Sequence, residues 1–528
     1  MSEPVLLFVG LVATIAFAVV AKRLALPYPI VFVLAGTVLA FLPGLPPVRI
    51  SPDWIFLAVL PPLLFSGGWR TDWTMFRSNL GSILRLAIAL VVVSTVVVAM
   101  FAERAIPGLG WAGAFVLGAI VAPPDAVAAG ATFERFAVPR RIVAVLEGEG
   151  LVNDATALVI YGYAITAAVT GAFVLASAAG SFVLVSVGGI AVGLGVWWAV
   201  ERFALWLRKY DLSDSLIDTL SIIGAAYAAY LAGQALHVSG VLATVVAGIL
   251  ISRRSSVVYT PESRLLAANF WTLWIYLLNA FVFLTIGLQL RALFAAGTQA
   301  LVLLPAALGV SLVLIVVRLV WVFSVGLITR WIHAFRKSAP VQPWSSLAII
   351  GWTGMRGIVS LAAALAIPYR TPSGTLFPGR DAIVFITFVV IFVTLVGQGL
   401  TLIPLLRWLK VGGASDGEQR EIAVRIAALE AGLRAIDELE RDHTAPYERE
   451  VLERLRDEYR HRIEHLRRHE PDGDAGESAE SRFDHEAQRI AIQAERRAIM
   501  QLRDRGEIPD DIFRTVQYDL DLAEARLY

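Results

Sequence analysis

The sequence predicts an all-α polytopic membrane protein with about thirteen transmembrane helices, followed by a helical C-terminal domain. Of the 528 residues, 57% are hydrophobic and only 17% are charged, and the mean hydropathy is +0.68, outside the range of a soluble domain of this length. About thirteen apolar runs are long enough to cross a bilayer. The composition changes near residue 411, so we expect two domains, residues 1–410 and 411–528.

The apolar runs predict the transmembrane helices in chain order, because about 20 helical residues span the hydrocarbon core of a bilayer. The seventh run contains several glycines that would permit a hairpin, but splitting it would invert every later loop and destroy the charge pattern described next. The runs cover residues 4–21, 28–43, 53–66, 79–101, 111–130, 142–169, 172–205, 216–236, 238–252, 268–290, 299–329, 344–368 and 381–409.

The loops between these runs differ in charge with the side of the membrane. Counting alternate loops, one side carries 17 lysines and arginines and the other carries five. Loops rich in lysine and arginine stay in the cytoplasm. Lys22 and Arg23 follow the first run instead of preceding it, which indicates a retained span and not a secretory signal. We therefore expect a multi-pass protein of the cell membrane with its N-terminus outside and its C-terminal domain in the cytoplasm.

The C-terminal domain is acidic, with 29 Asp and Glu against 19 Lys and Arg, whereas residues 1–410 hold 15 and 26. Its apolar spacing predicts helices at about residues 417–441, 445–469, 481–505 and 508–527, with a loop at 471–476. His461, His465 and His469 repeat every four residues and so share a helix face. Such a stripe is more typical of a solvated face than of a pH sensor or metal site, and its role stays open.

Two of the apolar runs contain helix breakers near their middles. In the fifth, Pro123 and Pro124 precede Asp125, and successive prolines leave backbone carbonyls without helical donors. In the twelfth, three glycines surround Arg356. If runs one to six and eight to thirteen form two inverted repeats, the two breaks occupy equivalent positions. A matched pair of broken helices predicts a midplane binding site of a secondary transporter.

Carboxylates at this depth are the candidate site residues. Asp154 lies near the bilayer midplane, where an ionisable group costs several kcal/mol without a partner or a function. Desolvation favours its neutral form, so it can hold a proton and exchange it for a small cation. Asp125, beside free carbonyls, would complete an oxygen-rich shell for a hard cation such as Na⁺, and Thr132 and Thr156 are weaker candidates for hydroxyl ligands. A purely structural hydrogen bond or helix cap at either aspartate stays the alternative.

Three further charged residues lie in or beside the spans. We expect a buried ion pair between Glu149 and Arg356, because an unpaired arginine in mid-bilayer costs about 3 kcal/mol or more. Glu147 lies about two turns before Asp154 and would line the ion entrance or simply be solvated. Arg318 has no evident carboxylate partner in the sequence; it would offset helix dipoles or bind carbonyls, with or without a modulatory effect on transport.

Several functional classes are excluded. The chain has no cysteine, so disulfides and thiol chemistry are absent, and no cofactor is expected. The spans contain no serine–histidine, serine–lysine or metal-ligand set, which argues against an intramembrane protease or other enzyme. Nucleic acid is not an expected partner; the expected partners are the lipid membrane, protons and Na⁺, or K⁺ or Li⁺ in its place.

These motifs together resemble the monovalent cation/proton antiporter-1 family, which includes the NhaP-type sodium/proton antiporters and the animal sodium/hydrogen exchangers. The resemblance covers about residues 5–410 and rests on four stretches: EGLVND at 149–154, PDAVA at 124–128, FVFLTIGL at 281–288 and GMRG at 354–357.

The resemblance implies a fold of thirteen spans in two inverted repeats, with a dimerisation domain and a moving core domain, working as a homodimer by an elevator-like motion. By carry-over, Asp154 would be the shared carrier of proton and cation, Asp125 a cation ligand, and Glu149 with Arg356 the stabilising pair. Asn153 stands where electrogenic relatives have a second aspartate, which implies electroneutral exchange of one cation for one proton.

The resemblance leaves the identity of the transported cation open. Many relatives have serine in place of Gly150, and Ala126 replaces a proline common after the aspartate. We expect a sodium/proton antiporter that regulates intracellular pH and sodium, with the C-terminal domain regulating rate or assembly. A potassium/proton antiporter and a gated cation channel are the alternatives.

Overall fold

The computed structural model describes most of the chain and divides it into two compact units, Met1–Gly412 and Gly413–Tyr528. The described residues are 3–41, 55–133, 136, 138–171, 175–294, 298–336, 342–371, 374–409, 415–442, 446–468, 479–505, 507, 512, 516–517, 520 and 522–523.

The first unit is helical throughout, which confirms the predicted fold class. Its described residues contain no β-strand beyond a single bridge between Arg370 and Leu376. The helices are α1 Glu3–Arg23, α2 Tyr28–Ala40, α3 Ile55–Arg70, α4 Trp73–Ser78, α5 Leu80–Ala105, α6 Gly110–Val121, α7 Ala126–Phe133, α8 Arg140–Thr170, α9 Leu175–Lys209, α10 Ser215–Ala235, α11 Gly240–Val258, α12 Pro261–Phe294, α13 Thr298–Arg336, α14 Trp344–Trp352, α15 Ile358–Leu365 and α16 Arg380–Trp408.

Each predicted apolar run coincides with one helix or with a broken pair. The seventh run forms the single helix α9, as the loop charges predicted, and the fifth and twelfth form the pairs α6–α7 and α14–α15. Among the residues described, nine segments are long and apolar enough to cross a membrane, and α2 and α3 are shorter apolar helices. The total of thirteen crossings stays a prediction.

The helices of the first unit pack mainly within two groups. In the α12 group, α2 packs on α12, and α11 packs on α3, α9 and α10. In the α8 group, α6 packs on α5, α8 and α15, α13 packs on α5, α14 and α16, and α7 packs on α8. Most pairwise packing of these helices therefore lies inside one group or the other, and one hydrophobic cluster, which includes Phe32, Phe283 and Phe388, joins the two groups.

Glycines hold α2 and α12 at close distance. A Cβ added to Gly36 would lie 2.0 Å from the carbonyl oxygen of Leu284, and one added to Gly287 would lie 2.2 Å from that of Val33. Small residues allow such close approach of membrane helices, and any larger side chain would force them apart. The α2–α12 pair is therefore a closely packed part of the α12 group.

The two broken helices meet at their breaks. α6 ends at Val121 and α7 begins at Ala126, while α14 ends at Trp352 and α15 begins at Ile358. The N–H of Asp125 in the first break donates to the carbonyl of Met355 in the second, at 2.6 Å. The prolines and glycines of the sequence thus produce two opposed helix ends at one place in the fold.

The second unit contains α17 Ser415–Asp442, α18 Pro446–Arg468 and α19 Ala479–Asp504, within two residues of their predicted bounds. α17 and α18 pack together, and Arg456 of α18 pairs with Asp437 at 3.0 Å and with Glu440. His461 is exposed. His469, the loop at 471–476, the side chain of His465 and most of the predicted helix 508–527 lie outside the described residues.

Candidate functional site

A cavity of about 670 Å³ lies between the two helix groups. α3 and α12 form its wall in the α12 group, and α7, α8 and α15 form its wall in the α8 group. Its charged lining residues are Arg70, Asp125, Glu147 and Asp154. Arg70 and Glu147 are exposed, so the cavity connects buried groups with the surface of the protein.

Asp154 lines this cavity from α8. No residue in the described part of the chain donates a hydrogen bond to its carboxylate or forms an ion pair with it. Asp125 lies close enough for the two carboxylates to interact electrostatically. A carboxylate that faces a cavity without a partner from the protein has its oxygens available for a proton or a cation.

Asp125 lies at the meeting point of the broken helices and also lines the cavity. Its Oδ1 accepts a hydrogen bond from the N–H of Val127 at 2.8 Å, so it caps the first turn of α7. Gly357 at the start of α15 leaves room for its other oxygen, since an added Cβ there would lie 1.6 Å from Oδ2. The backbone N–H of Ile358, at the start of α15, also hydrogen-bonds this carboxylate, so Asp125 links the beginnings of α7 and α15 while it lines the cavity.

Asn153 lies behind the cavity and is not among its lining residues. It is fully buried, and its Nδ2 donates to the carbonyl of Pro124 at 2.7 Å. Pro124 is one of the prolines that break the fifth span, so Asn153 satisfies a carbonyl that the break releases. This contact fastens α8 to the first break.

The predicted ion pair between Glu149 and Arg356 is wrong. Glu149 instead pairs with Arg318 of α13 in a bidentate salt bridge, with N–O distances of 2.5 and 2.8 Å, and both side chains are 1% exposed. Arg318 also donates from Nε to the carbonyl of Ile350 at 3.1 Å. The planar fork of an arginine matches the two oxygens of a carboxylate, which explains the geometry.

Arg356 is satisfied by backbone carbonyls. Its guanidinium donates to the carbonyls of Val121 at 2.9 Å, Ala122 at 3.3 Å and Gly354. These carbonyls lie at the C-terminal ends of the two half-helices, where the helix dipole is negative. Carbonyls at the ends of the broken helices, and not Glu149 as predicted, therefore accept the hydrogen bonds of Arg356.

The remaining predicted site residues have different surroundings. Glu147 is exposed and lines the cavity, consistent with a position at its entrance. Thr132 and Thr156 are buried but do not line the cavity, and their hydroxyls donate to the carbonyls of Ala128 and Val152, one turn earlier in the same helices. Their candidacy as cation ligands stays a prediction without a contact to support it.

Sequence reasoning missed the cavity wall formed by α12. Asn269, Thr272, Tyr276 and Asn279 line the cavity from this helix. The spacing of these residues in the sequence indicates a shared polar face, because at about 100° per residue the four positions fall within an arc of about 80°.

Comparison with known proteins identifies relatives of one transporter family. The family profile described as sodium/hydrogen exchanger, transmembrane, matches residues 10–408. An uncharacterized Na⁺/H⁺ exchanger of Escherichia coli, YjcE, is 30% identical over 521 residues, covering 95% of this chain and 94% of that protein. A sodium, potassium, lithium and rubidium/H⁺ antiporter of Bacillus subtilis is 29% identical over 501 residues, covering 93% and 73%.

A solved structure has the same fold. The sodium proton antiporter MjNhaP1 from Methanocaldococcus jannaschii, at pH 8, matches 76% of this chain and 97% of its own with a TM-score of 0.59 and 18% sequence identity. At this identity the likeness concerns the fold alone.

Proposed function

The chain belongs to the sodium/hydrogen exchanger family and is a monovalent cation/proton antiporter, not an enzyme; from this premise we propose that it exchanges one Na⁺ for one H⁺ at the carboxylate of Asp154. The observation that carries the proposal is the free carboxylate of Asp154 in a cavity between two helix groups. Because this group holds either a proton or a cation, binding of one requires release of the other.

Asp125 contributes to the cation site in this proposal. Its carboxylate and that of Asp154 line the same cavity, and carboxylate oxygens are preferred ligands of hard cations. Two neighbouring carboxylates disfavour the state in which both are charged and empty, so the site stays occupied by a proton or a cation. Occupancy by one or the other is the condition for obligatory exchange.

The packing of the helices supports alternating access. The α2–α12 pair is closely packed and forms one cavity wall, while the carboxylates belong to the α8 group. Movement of the α8 group against the α12 group would expose Asp154 alternately to the two sides of the membrane. We propose that the protein works in this way as a homodimer in the cytoplasmic membrane, with its N-terminus outside.

The physiological role follows from the exchange. We propose that the antiporter regulates intracellular pH and sodium, and that the acidic C-terminal unit lies in the cytoplasm and regulates rate or assembly. The charge difference between adjacent loops supports this orientation.

The experiment is exchange in proteoliposomes that contain the full chain and a pH-sensitive dye, with Na⁺, K⁺ and Li⁺ supplied in separate runs. We expect Asp154→Asn to abolish cation-driven proton movement, because an amide cannot carry the proton. Exchange at the normal rate in this variant would refute the assigned carrier. A matched control is Ser311→Ala on α13, whose hydroxyl donates to the carbonyl of Ala307.

The same assay decides between the finer alternatives. Electroneutral exchange proceeds at an unchanged rate when the membrane potential is clamped at zero, whereas a clear dependence on potential would reject one-for-one stoichiometry. Faster exchange with K⁺ than with Na⁺ would favour a potassium/proton antiporter, and the name of the Bacillus subtilis relative includes potassium. Cation flux without proton coupling would indicate a channel.

A further inference from the structure

Asn279 on α12 is a buried amide with an unsatisfied oxygen that lines the cavity. The residue is 0% exposed, and its Oδ1 has no hydrogen-bond partner among the residues that the structure describes. Its Nδ2 makes one long contact, 3.4 Å, to the hydroxyl of Tyr28. A buried acceptor without a partner costs about 1–3 kcal/mol, so native proteins rarely keep one that no ligand satisfies.

Other buried polar groups without partners occur in the described part of the chain, but they lie elsewhere. They include Oδ1 of Asn153, Oε1 of Gln398 and the hydroxyl of Thr387, none of which lines the cavity. Within the described residues, Asn279 alone combines an unpartnered buried oxygen with a position in the cavity wall. This combination indicates that the partner of the oxygen is a ligand in the cavity.

Asn279 is the deepest member of a polar face on α12. Asn269 and Thr272 are exposed, Tyr276 is half-buried and Asn279 is buried, and all four line the cavity. The face extends about 15 Å along the helix at 1.5 Å per residue. A cation that follows this face loses its contact with bulk water gradually and reaches Asn279 at the buried end.

We propose that the amide oxygen of Asn279 is a cation ligand supplied by the α12 group, across the cavity from Asp154. This inference rests on the proposed function and adds a residue that determines cation affinity. An amide oxygen coordinates hard cations but takes no proton at neutral pH. It therefore favours the cation over the proton in their competition for Asp154 without adding a charge.

Asn279 and Asp154 belong to different helix groups, so Asn279 would bind the cation in only one part of the transport cycle. α12 is fastened to α2 by Gly36 and Gly287, whereas Asp154 belongs to the α8 group. If the groups move, Asn279 and Asp154 separate. The amide then assists the loading of the cation in the state where the cavity is open, and takes no part after the carboxylate has moved away.

The test is the cation dependence of exchange by the full chain in proteoliposomes, at several pH values. We expect Asn279→Ala to raise the apparent KM for Na⁺ about 5- to 10-fold, the effect of losing one polar contact to an ion. The factor should be equal at every pH, because affinity for the proton is unchanged, and the maximal rate should change less than the KM. Thr285→Val is the control on the same helix, since the Thr285 hydroxyl donates to the carbonyl of Phe281 and does not line the cavity.

A second variant keeps the proposal testable if the alanine variant does not fold. Asn279→Asp preserves size and places a charged oxygen at the same point, so we expect a lower apparent KM for Na⁺ at alkaline pH and a KM that now varies with pH. The proposal would be overturned if the apparent KM for Na⁺ were unchanged in both variants, even if both variants lost rate and thermal stability equally. Neither result affects the assignment of Asp154, which fails only if Asp154→Asn still exchanges.

Discussion

Glu149 and Asp154 are both carboxylates on α8, five residues apart, and they have opposite surroundings. Glu149 is 1% exposed, and Arg318 occupies both of its oxygens at 2.5 and 2.8 Å. Asp154 lines a cavity and has no donor among the residues described by the structure. Depth in the membrane does not distinguish the two, since both lie in the middle part of one helix.

The difference between them shows that the neighbouring helix decides the role of a buried carboxylate. α13 presents an arginine to Glu149, so that carboxylate serves to join α8 with α13. No element presents a cationic side chain to Asp154 in the described structure, so no protein group neutralises that carboxylate. A buried ion pair contributes little net stability but is expensive to break, which makes its effect measurable.

The largest expected effect on stability concerns the paired carboxylate. Glu149→Gln leaves Arg318 charged and without its counter-ion, and we expect the unfolding free energy to fall by about 3–5 kcal/mol. Thermal unfolding of the purified protein in detergent measures this loss. In contrast, Asp154→Asn removes a charge that has no partner, and it should unfold at or above the temperature of the native protein.

A double variant separates the pair from its individual members. Glu149→Gln combined with Arg318→Gln removes both charges, so we expect it to be more stable than either single variant. If Asp154→Asn lowered stability as much as Glu149→Gln, the distinction between a structural and a transporting carboxylate would be refuted.

The next largest expected effect concerns Asp125, the second carboxylate that lines the cavity. Gly357→Ala places a methyl group 1.6 Å from the present position of Asp125 Oδ2, so the carboxylate or the start of α15 must move. We expect a loss of about 1–3 kcal/mol in stability from overpacking, together with a higher apparent KM for Na⁺. Thermal unfolding and the proteoliposome assay measure the two effects.

Gly162→Ala is the matched control for this change. Gly162 lies on α8 and has no atom within 4 Å of an added Cβ, so alanine there should be neutral or slightly stabilising. An unchanged KM in Gly357→Ala would indicate that the position of Asp125 does not matter for cation binding.

Much of the fold was predictable because the bilayer imposes a simple rule on length and hydropathy. Each apolar run became a helix or a broken pair, and the loop charges correctly favoured a single α9 over a hairpin despite its glycines. The breaks were predictable for a local reason, since Pro123 and Pro124 cannot continue a helix. Asp154 and Asp125 were predictable as cavity residues because charge is rare at that depth.

The pairing of charges was not predictable from one sequence. Arg318 and Arg356 are equally plausible partners of Glu149 until the rotation of α13 and the position of the broken ends are known. Backbone carbonyls at a helix end satisfy a guanidinium as well as a carboxylate does, so a buried arginine such as Arg356 does not require a carboxylate partner. Asn279 was not predicted because the polar arc on α12 shows which residues share a face, but not which helices that face meets.

The smallest effect concerns Asn153, which lies next to Asp154 in sequence but donates to the carbonyl of Pro124 instead of lining the cavity. We expect Asn153→Ala to lower the unfolding free energy by about 1–2 kcal/mol, because one buried carbonyl loses its donor. The apparent KM for Na⁺ should change less than in Asn279→Ala. Thermal unfolding and cation titration of the same preparation measure both quantities.

Asn153 lies between the paired Glu149 and the unpaired Asp154 on α8, so Asn153→Ala tests which of the two it resembles. Loss of stability with nearly normal KM assigns Asn153, like Glu149, to the contacts that hold α8 in place. A large rise in KM at normal stability would instead assign it to the cation site with Asp154, and would require the amide to leave Pro124 during transport. Thr166→Val is the control, since its hydroxyl donates within the same helix to the carbonyl of Gly162 and the residue does not line the cavity.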